Sequence, residues 1–157
     1  MSTIKQAREL LAGDIMQSPV FTVSESTSLR DLQQLLSDYG ISGAPVTDAA
    51  GHIVGVVSVR DLLERYASVE RTPEDVHDFY DGREETAVDF ELPDSAGDTV
   101  ADVMTAEVHS VVRGATLAQV ARKMLELRVH RILVLEGPHH VGLISTFDVL
   151  RALAGAE

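Results

Sequence analysis

The strongest constraint on this chain is that it contains one pattern twice. Asp14-Ile15-Met16 returns as Asp102-Val103-Met104, Thr22-Val23 as Ser110-Val111, Leu29 as Leu117, and Ile41 and Val46 as Val129 and Val134, all at an offset of 88 residues. Gly55-Val56-Val57-Ser58-Val59-Arg60-Asp61 then returns as Gly142-Leu143-Ile144-Ser145-Thr146-Phe147-Asp148 at an offset of 87. The change of length falls between Val46 and Gly55, where Ala49-Ala50-Gly51-His52 reads as a turn. A repeat whose indel sits in a turn is two copies of one supersecondary unit. Each copy is short for an independent core, so the two are expected to share one.

Both copies read alike. Val20-Phe21-Thr22-Val23 is a short strand, and Ser28-Leu29-Arg30-Asp31 has the Ser-x-x-Asp form of a helix start, matched by Thr116-Leu117-Ala118-Gln119. Leu29, Leu32, Leu35, Leu36 and Tyr39 then fall on one helical face, as do Leu117, Val120, Ala121, Met124 and Leu125. Ala44-Pro45-Val46 and Ile53 to Val57 form a strand hairpin, with Ile132 to Leu135 and Val141 to Ile144 as its counterpart. A second helix closes each copy, from Arg60 to about Tyr66 and from Phe147 to about Leu153. The predicted class is α/β (α+β), with each unit running β-α-β-β-α.

The net charge of −12 disfavours nucleic acid, because it repels phosphate backbones at long range. Between Ser68 and Asp98 eleven acids face two arginines, which reads as a solvated acidic linker. Phe79, Tyr80, Val88, Phe90 and Leu92 lead us to expect part of that segment to fold back. With no cysteine, the chain has no thiolate chemistry and no Cys-ligated zinc. Residues 1–11 lack the apolar run of a signal peptide and no stretch is long enough to span a bilayer, so a cytoplasmic protein without membrane attachment is expected.

The ordered motifs Asp-h-Met, Gly-h-h-Ser-x-x-Asp and, in the first copy, Ile41-Ser42-Gly43-Ala44-Pro45-Val46 (h, apolar) resemble a tandem pair of cystathionine-β-synthase (CBS) domains. The resemblance places an N-terminal segment at 1–11, the first domain at 12–67, the acidic insertion at 68–98 and the second domain at 99–155. It implies two units related by a pseudo-twofold axis, forming one Bateman-type module with two clefts for adenine nucleotides or related adenosyl compounds. Each cleft, by the same resemblance, joins the Ser-x-x-Asp of one repeat to the start of the second strand of the other. One would combine Ser58, Arg60 and Asp61 with Val129, His130 and Arg131, and suit a phosphorylated ligand through its arginines. The other would combine Ser145, Phe147 and Asp148 with Ile41, Ser42, Gly43 and Ala44, with Thr22 nearby, and lacks an evident cation.

The residues also admit plainer readings. Ser-x-x-Asp at a strand-to-helix junction is itself a capping device, compatible with a helix N-terminus facing phosphate and an exposed Asp accepting two ribose hydroxyls. The Gly before the strand end reads as room for a flat base. The second repeat departs from the pattern at Leu133, where the first has Pro45, and at Phe147, where the first has Arg60; Phe147 either packs in the core or stacks on a base. His139 and His140 read as solvated turn residues, with a divalent-metal site shared with His109 or His52 as the alternative. Arg122, Lys123, Arg128 and Arg131 read as an exposed basic patch. No nucleophile elbow, P-loop or HExxH occurs, which argues against an enzyme. The expected function is a regulatory sensor of AMP, ADP, ATP or adenosylmethionine, with no other cofactor or metal and an unknown effector protein as its target. The alternative is a constitutive dimerisation or interaction module. A homodimer is expected through the second helices, by Leu62, Leu63, Tyr66, Val149, Leu150 and Leu153.

Overall fold

The computed structural model describes residues 3–66, 79–81 and 97–155. In chain order the elements are α1 (Thr3–Arg8), α2 (Ala12–Ile15), β1 (Val23–Ser24), α3 (Leu29–Tyr39), β2 (Gly43–Thr47), β3 (Ile53–Ser58), α4 (Val59–Tyr66), α5 (Val100–Val103), β4 (Ser110–Val112), α6 (Leu117–Leu127), β5 (Arg131–Glu136), β6 (His139–Ser145) and α7 (Thr146–Leu153). The β-α-β-β-α order holds in both repeats. Each forms a three-stranded sheet, β1-β2-β3 or β4-β5-β6, whose first pair is parallel and second antiparallel.

The length change sits where the repeat offset places it. The ladder breaks register at equivalent points, Val46/Thr47 and Val134/Leu135. Beyond that point the first hairpin closes by a turn in which Asp48 Oδ1 accepts from the N–H groups of Ala50 and His52. The second continues to the Glu136–His139 pair and turns at Gly137, in the left-handed region at φ 63°. His139 and His140 are thus strand residues, not turn residues. The first strand is shorter and later than expected, at Val23–Ser24, and Val20 to Thr22 lie outside it.

Helix starts follow the residues at their caps. Ser28 Oγ accepts from the Asp31 N–H at 3.1 Å, and Thr116 Oγ1 accepts from the Gln119 N–H at 3.2 Å while the Gln119 side chain takes the Thr116 N–H at 2.9 Å. Of the expected helical faces, Leu29, Leu32, Leu36, Leu117, Val120 and Met124 are buried. Tyr39 and Leu125 are exposed, Leu125 by 78%. Each stands at the C-terminal end of its stripe.

The chain divides into two compact units that do not coincide with the repeats. Unit 1 holds residues 1–20 and 109–157; unit 2 holds 21–108. Each repeat therefore gives up its leading Asp-h-Met segment to the unit built on the other. Two separate cores result, instead of the single shared one expected. One gathers Ala12, Val111, Leu117, Val120, Ile132 and Ile144; the other gathers Val23, Leu29, Leu32, Val46, Val57 and Val100. The donated segments bring Ala12, Ile15 and Met16 to the first core and Val100, Val103 and Met104 to the second, supplying apolar area that a bare repeat of this size lacks.

Both donated segments are one-turn helices, α2 and α5, that sequence reading did not anticipate. The motif Asp closes each: Asp14 Oδ2 accepts from the Leu11 N–H at 2.9 Å and Asp102 Oδ2 from the Thr99 N–H at 2.8 Å. The hydrogen bonds from the Thr99 backbone and hydroxyl hold Asp102 below the usual carboxylate range. Within the acidic stretch, Phe79 and Tyr80 are buried in unit 2, and the Tyr80 hydroxyl donates to the Glu107 carbonyl at 3.4 Å. The other expectations for residues 67–96 lie outside the described residues.

Candidate ligand-binding site

The Ser-x-x-Asp motifs stand where β3 enters α4 and β6 enters α7. In unit 2, Asp61 Oδ2 accepts from the Ser58 N–H at 2.8 Å and the Ser58 hydroxyl at 3.3 Å, while Oδ1 accepts from the Thr105 hydroxyl at 3.3 Å. Burial pushes the Asp61 carboxyl up from 3.8 to about 6; these three donors pull against the rise, and the nearby Glu64 charge adds to it. Arg60 bonds along its own helix, Nε to Glu64 Oε1 at 3.2 Å.

In unit 1, Asp148 Oδ2 accepts from the Ser145 N–H at 2.8 Å and the Ser145 hydroxyl at 2.9 Å. Its Oδ1 accepts from Gln17 Nε2 at 2.9 Å and Arg151 Nη1 at 3.3 Å. Asp148 is only 4% exposed, so the reading of both motif aspartates as exposed acceptors holds for neither: Asp61 is half-buried and Asp148 is buried. Both copies are capping devices first. Asp148 also borders an open cavity of ≈360 Å³ with Leu10, Asp14, Ile15, Arg151 and Ala152.

Gln17 and Thr105 are the site residues that sequence reading missed. They hold one register position, directly after the Met of each Asp-h-Met motif, and each reaches the motif aspartate of the opposite repeat. The repeat alignment pairs them; nothing local in the sequence says which carboxylate they meet. Their backbones dock as bridges. Gln17 exchanges hydrogen bonds with Leu143 at 2.8 and 3.0 Å, and Thr105 with Val56 at 2.8 and 2.9 Å.

These bridges revise the role of the motif glycines. A Cβ on Gly142 would lie 2.3 Å from Met16 Sδ, and one on Gly55 would lie 2.6 Å from the Thr105 carbonyl oxygen and 3.0 Å from Met104 Sδ. The room a glycine leaves is filled by the donated segment of the other repeat, not kept open for a base.

The second-strand starts lie beside the Ser-x-x-Asp of their own repeat. The Val59 N–H donates to the Ser42 carbonyl at 2.9 Å and the Thr146 N–H to the His130 carbonyl at 2.8 Å, while Gly43 pairs with Ser58 and Arg131 with Ser145 across the ladders. Ile41, Ser42, Gly43 and Ala44 thus neighbour Ser58 to Asp61, and Val129, His130 and Arg131 neighbour Ser145 to Asp148. Thr22, one residue before β1, is half-buried in unit 2.

Phe147 does not pack in the core. It is 67% exposed, with the Arg151 guanidinium 5.1 Å from its ring centroid, because α7 turns Asp148, Val149, Ala152 and Leu153 inward and leaves Phe147, Leu150 and Arg151 outside. His140 is not simply solvated. It is half-buried, its Nδ1 has no hydrogen-bond partner among the described residues, and burial, with the neighbouring His139, lowers its pKa. Among the described residues no group of three or more His, Asp or Glu could hold a metal, and no helix is long and apolar enough to cross a membrane.

Two β-α-β-β-α repeats, each ending a strand in Ser-x-x-Asp, define a tandem-repeat α+β architecture. The sequence profile of the CBS domain matches residues 12–68 and 100–155, and the chain belongs to the CBS domain family. A crystal structure of CBSX2 in complex with AMP is similar at TM-score 0.66 and 26% identity, covering 92% of this chain and 96% of that one. The CBS domain of a CBS domain containing membrane protein from Sphaerobacter thermophilus is similar at TM-score 0.69 and 27% identity, covering 96% of this chain and 92% of that one. Chloroplastic CBSX2 of Arabidopsis thaliana is 31% identical over 147 residues, which are 89% of this chain and 62% of that protein. An uncharacterized Methanopyrus kandleri protein is 37% identical over 60 residues, 38% of this chain and 31% of that protein. The chain spans less than two thirds of these two curated relatives.

Proposed function

We propose that this chain is a regulatory module that binds an adenine nucleotide or related adenosyl ligand and reports it by a change of shape or partner affinity. The observation that carries the reading is the likeness to CBSX2, whose structure holds AMP, over nearly the full length of both chains. The chemistry is consistent with it. Asp61 is a carboxylate beside a helix start with an unsaturated oxygen, suited to ribose hydroxyls, and Arg131 offers a fork suited to phosphate. The proposed contact residues in unit 2 are Ser58, Arg60, Asp61, Thr22 and Ile41 to Ala44. Those in unit 1 are Val129, His130, Arg131, Ser145 and Phe147. The proposed location is the cytoplasm, and the target is a separate effector protein.

A thermal-shift series with AMP, ADP, ATP, adenosylmethionine and NAD tests the reading, because a ligand that binds only the folded state raises its melting temperature by mass action. At least one is expected to do so. Asp61→Ala is expected to weaken that binding about 10- to 100-fold, the worth of a charge-assisted hydrogen bond. A flat response to all five would favour a constitutive homodimerisation module. That second reading draws on the uncovered apolar residues Leu125, Phe147 and Leu150 of unit 1.

A further inference from the structure

The two motif aspartates share the Ser-x-x-Asp pattern and are unlike in hydrogen bonding. An ionised carboxylate offers about four lone-pair positions. Asp148 has donors on all four: the Ser145 N–H, the Ser145 hydroxyl, the Gln17 amide and the Arg151 guanidinium, at 2.8, 2.9, 2.9 and 3.3 Å. Asp61 has three, the Ser58 N–H at 2.8 Å and two hydroxyls at 3.3 Å, which is long for an O–H···O bond. Among the described residues no cation donates to Asp61, and a weakly held hydroxyl can yield its place to another hydroxyl.

The difference traces to two positions. Gln17 and Thr105, at one register position, each give their aspartate a single donor, Gln17 at 2.9 Å and Thr105 at 3.3 Å, and the fourth donor on Asp148 is Arg151, whose place in the first repeat is held by Glu64, which donates nothing to Asp61. A ribose diol needs two acceptor positions on one carboxylate. At Asp61 the free position and that of Thr105 serve. At Asp148 both would have to be taken from a buried carboxylate at once, leaving the Gln17 amide or the Arg151 guanidinium to find new partners, a loss that a neutral diol does not repay.

We propose that Gln17 and Arg151 together lock Asp148 into its capping role, so that only the Ser58–Asp61 motif takes a ribose diol and the chain binds a single nucleotide. The inference rests on the nucleotide reading above and names the residues that set its stoichiometry. Gln17 and Arg151 are positioning residues in this scheme, acting through Asp148.

Calorimetric titration with AMP of the full chain and of the double variant Gln17→Thr, Arg151→Glu, which copies the Thr105 and Glu64 arrangement, tests it. The wild-type chain is expected to bind one AMP and the double variant two. Purely structural roles for Gln17 and Arg151 would lower the melting temperature of the variant without adding a second equivalent. Two equivalents on the wild type, or one on a folded double variant, would overturn the lock while leaving nucleotide binding intact; no binding to either would overturn both. Should the variant not fold, carboxyl 13C resonances of the wild-type chain carry the test. AMP is expected to shift that of Asp61 and leave that of Asp148 unmoved, and movement of Asp148, or an unmoved Asp61, sinks the proposal.

Discussion

Single atoms decide much in this molecule, and the two motif glycines show how. Adding a methyl at Gly55 drives it against the Thr105 carbonyl, a backbone atom fixed by its own bridge to Val56, whereas at Gly142 the obstacle is the Met16 side chain. Gly55→Ala is therefore expected to cost more than Gly142→Ala, both within the roughly 1–3 kcal/mol typical of overpacking. Met16→Ala should recover part of the Gly142→Ala loss in a double-mutant cycle by urea unfolding, while Met104→Ala should not rescue Gly55→Ala. Asp61 offers a second measurement. The folded chain holds its proton more tightly, at about 6, than an unfolded carboxyl at 3.8. Between these values the folded state binds the extra proton, so the Asp61 contribution to stability falls as pH rises from about 4 to 6, by on the order of 2 kcal/mol. Asp61→Asn removes that contribution. The difference in unfolding free energy between wild type and variant should change across this window and flatten above it.

Among the elements, α2 and α5 have an influence out of proportion to their four residues each. Met104 packs on the sheet of unit 2 and Met16 on that of unit 1, so each truncation should loosen the repeat opposite to the one that encodes it. Hydrogen exchange is expected to quicken in β3 after Met104→Ala and in β6 after Met16→Ala; quickening in the encoding repeat instead would contradict the exchange of segments. The long amphipathic helices, the hairpins and the turn that absorbs the indel were legible in the sequence, because each rests on local periodicity, a cap or a length change. The one-turn helices were not. Asp-h-Met is too short to show a period, and what stabilises it is the Gly of the other repeat, a partner that no local pattern points to. Phe147 was misjudged for a related reason: α7 can turn either of two apolar stripes inward, and the sheet selects the one holding Val149 and Leu153.

At the scale of the whole molecule the halves differ in charge and in surface. Unit 1 carries eight basic residues against six acidic, unit 2 five against nineteen, and among the described residues seven of the eight exposed large hydrophobics belong to unit 1. Of the residues expected to form a dimer contact, Leu62 and Val149 lie in the cores of their own units, Leu63 is buried, and Leu150 is exposed. The proposed homodimer thus draws on the face bearing Leu125, Phe147 and Leu150, where apolar surface is available and like-charge repulsion is least. Leu125→Lys with Leu150→Lys is expected to reduce the light-scattering mass to that of a single chain, with the fold retained by circular dichroism. The exchanged leading segments also set a timetable for the nascent chain. On a ribosome, residues 1–20 emerge first yet find their sheet only once β6 has followed more than a hundred residues later, and the first repeat must wait for Met104 before its own sheet is covered. Unit 2, continuous from 21 to 108, can close once Met104 is out, whereas unit 1 must wait for β6, and a fragment cut at the end of the first repeat, however well it respects the sequence boundary, is born without the lid of its own core.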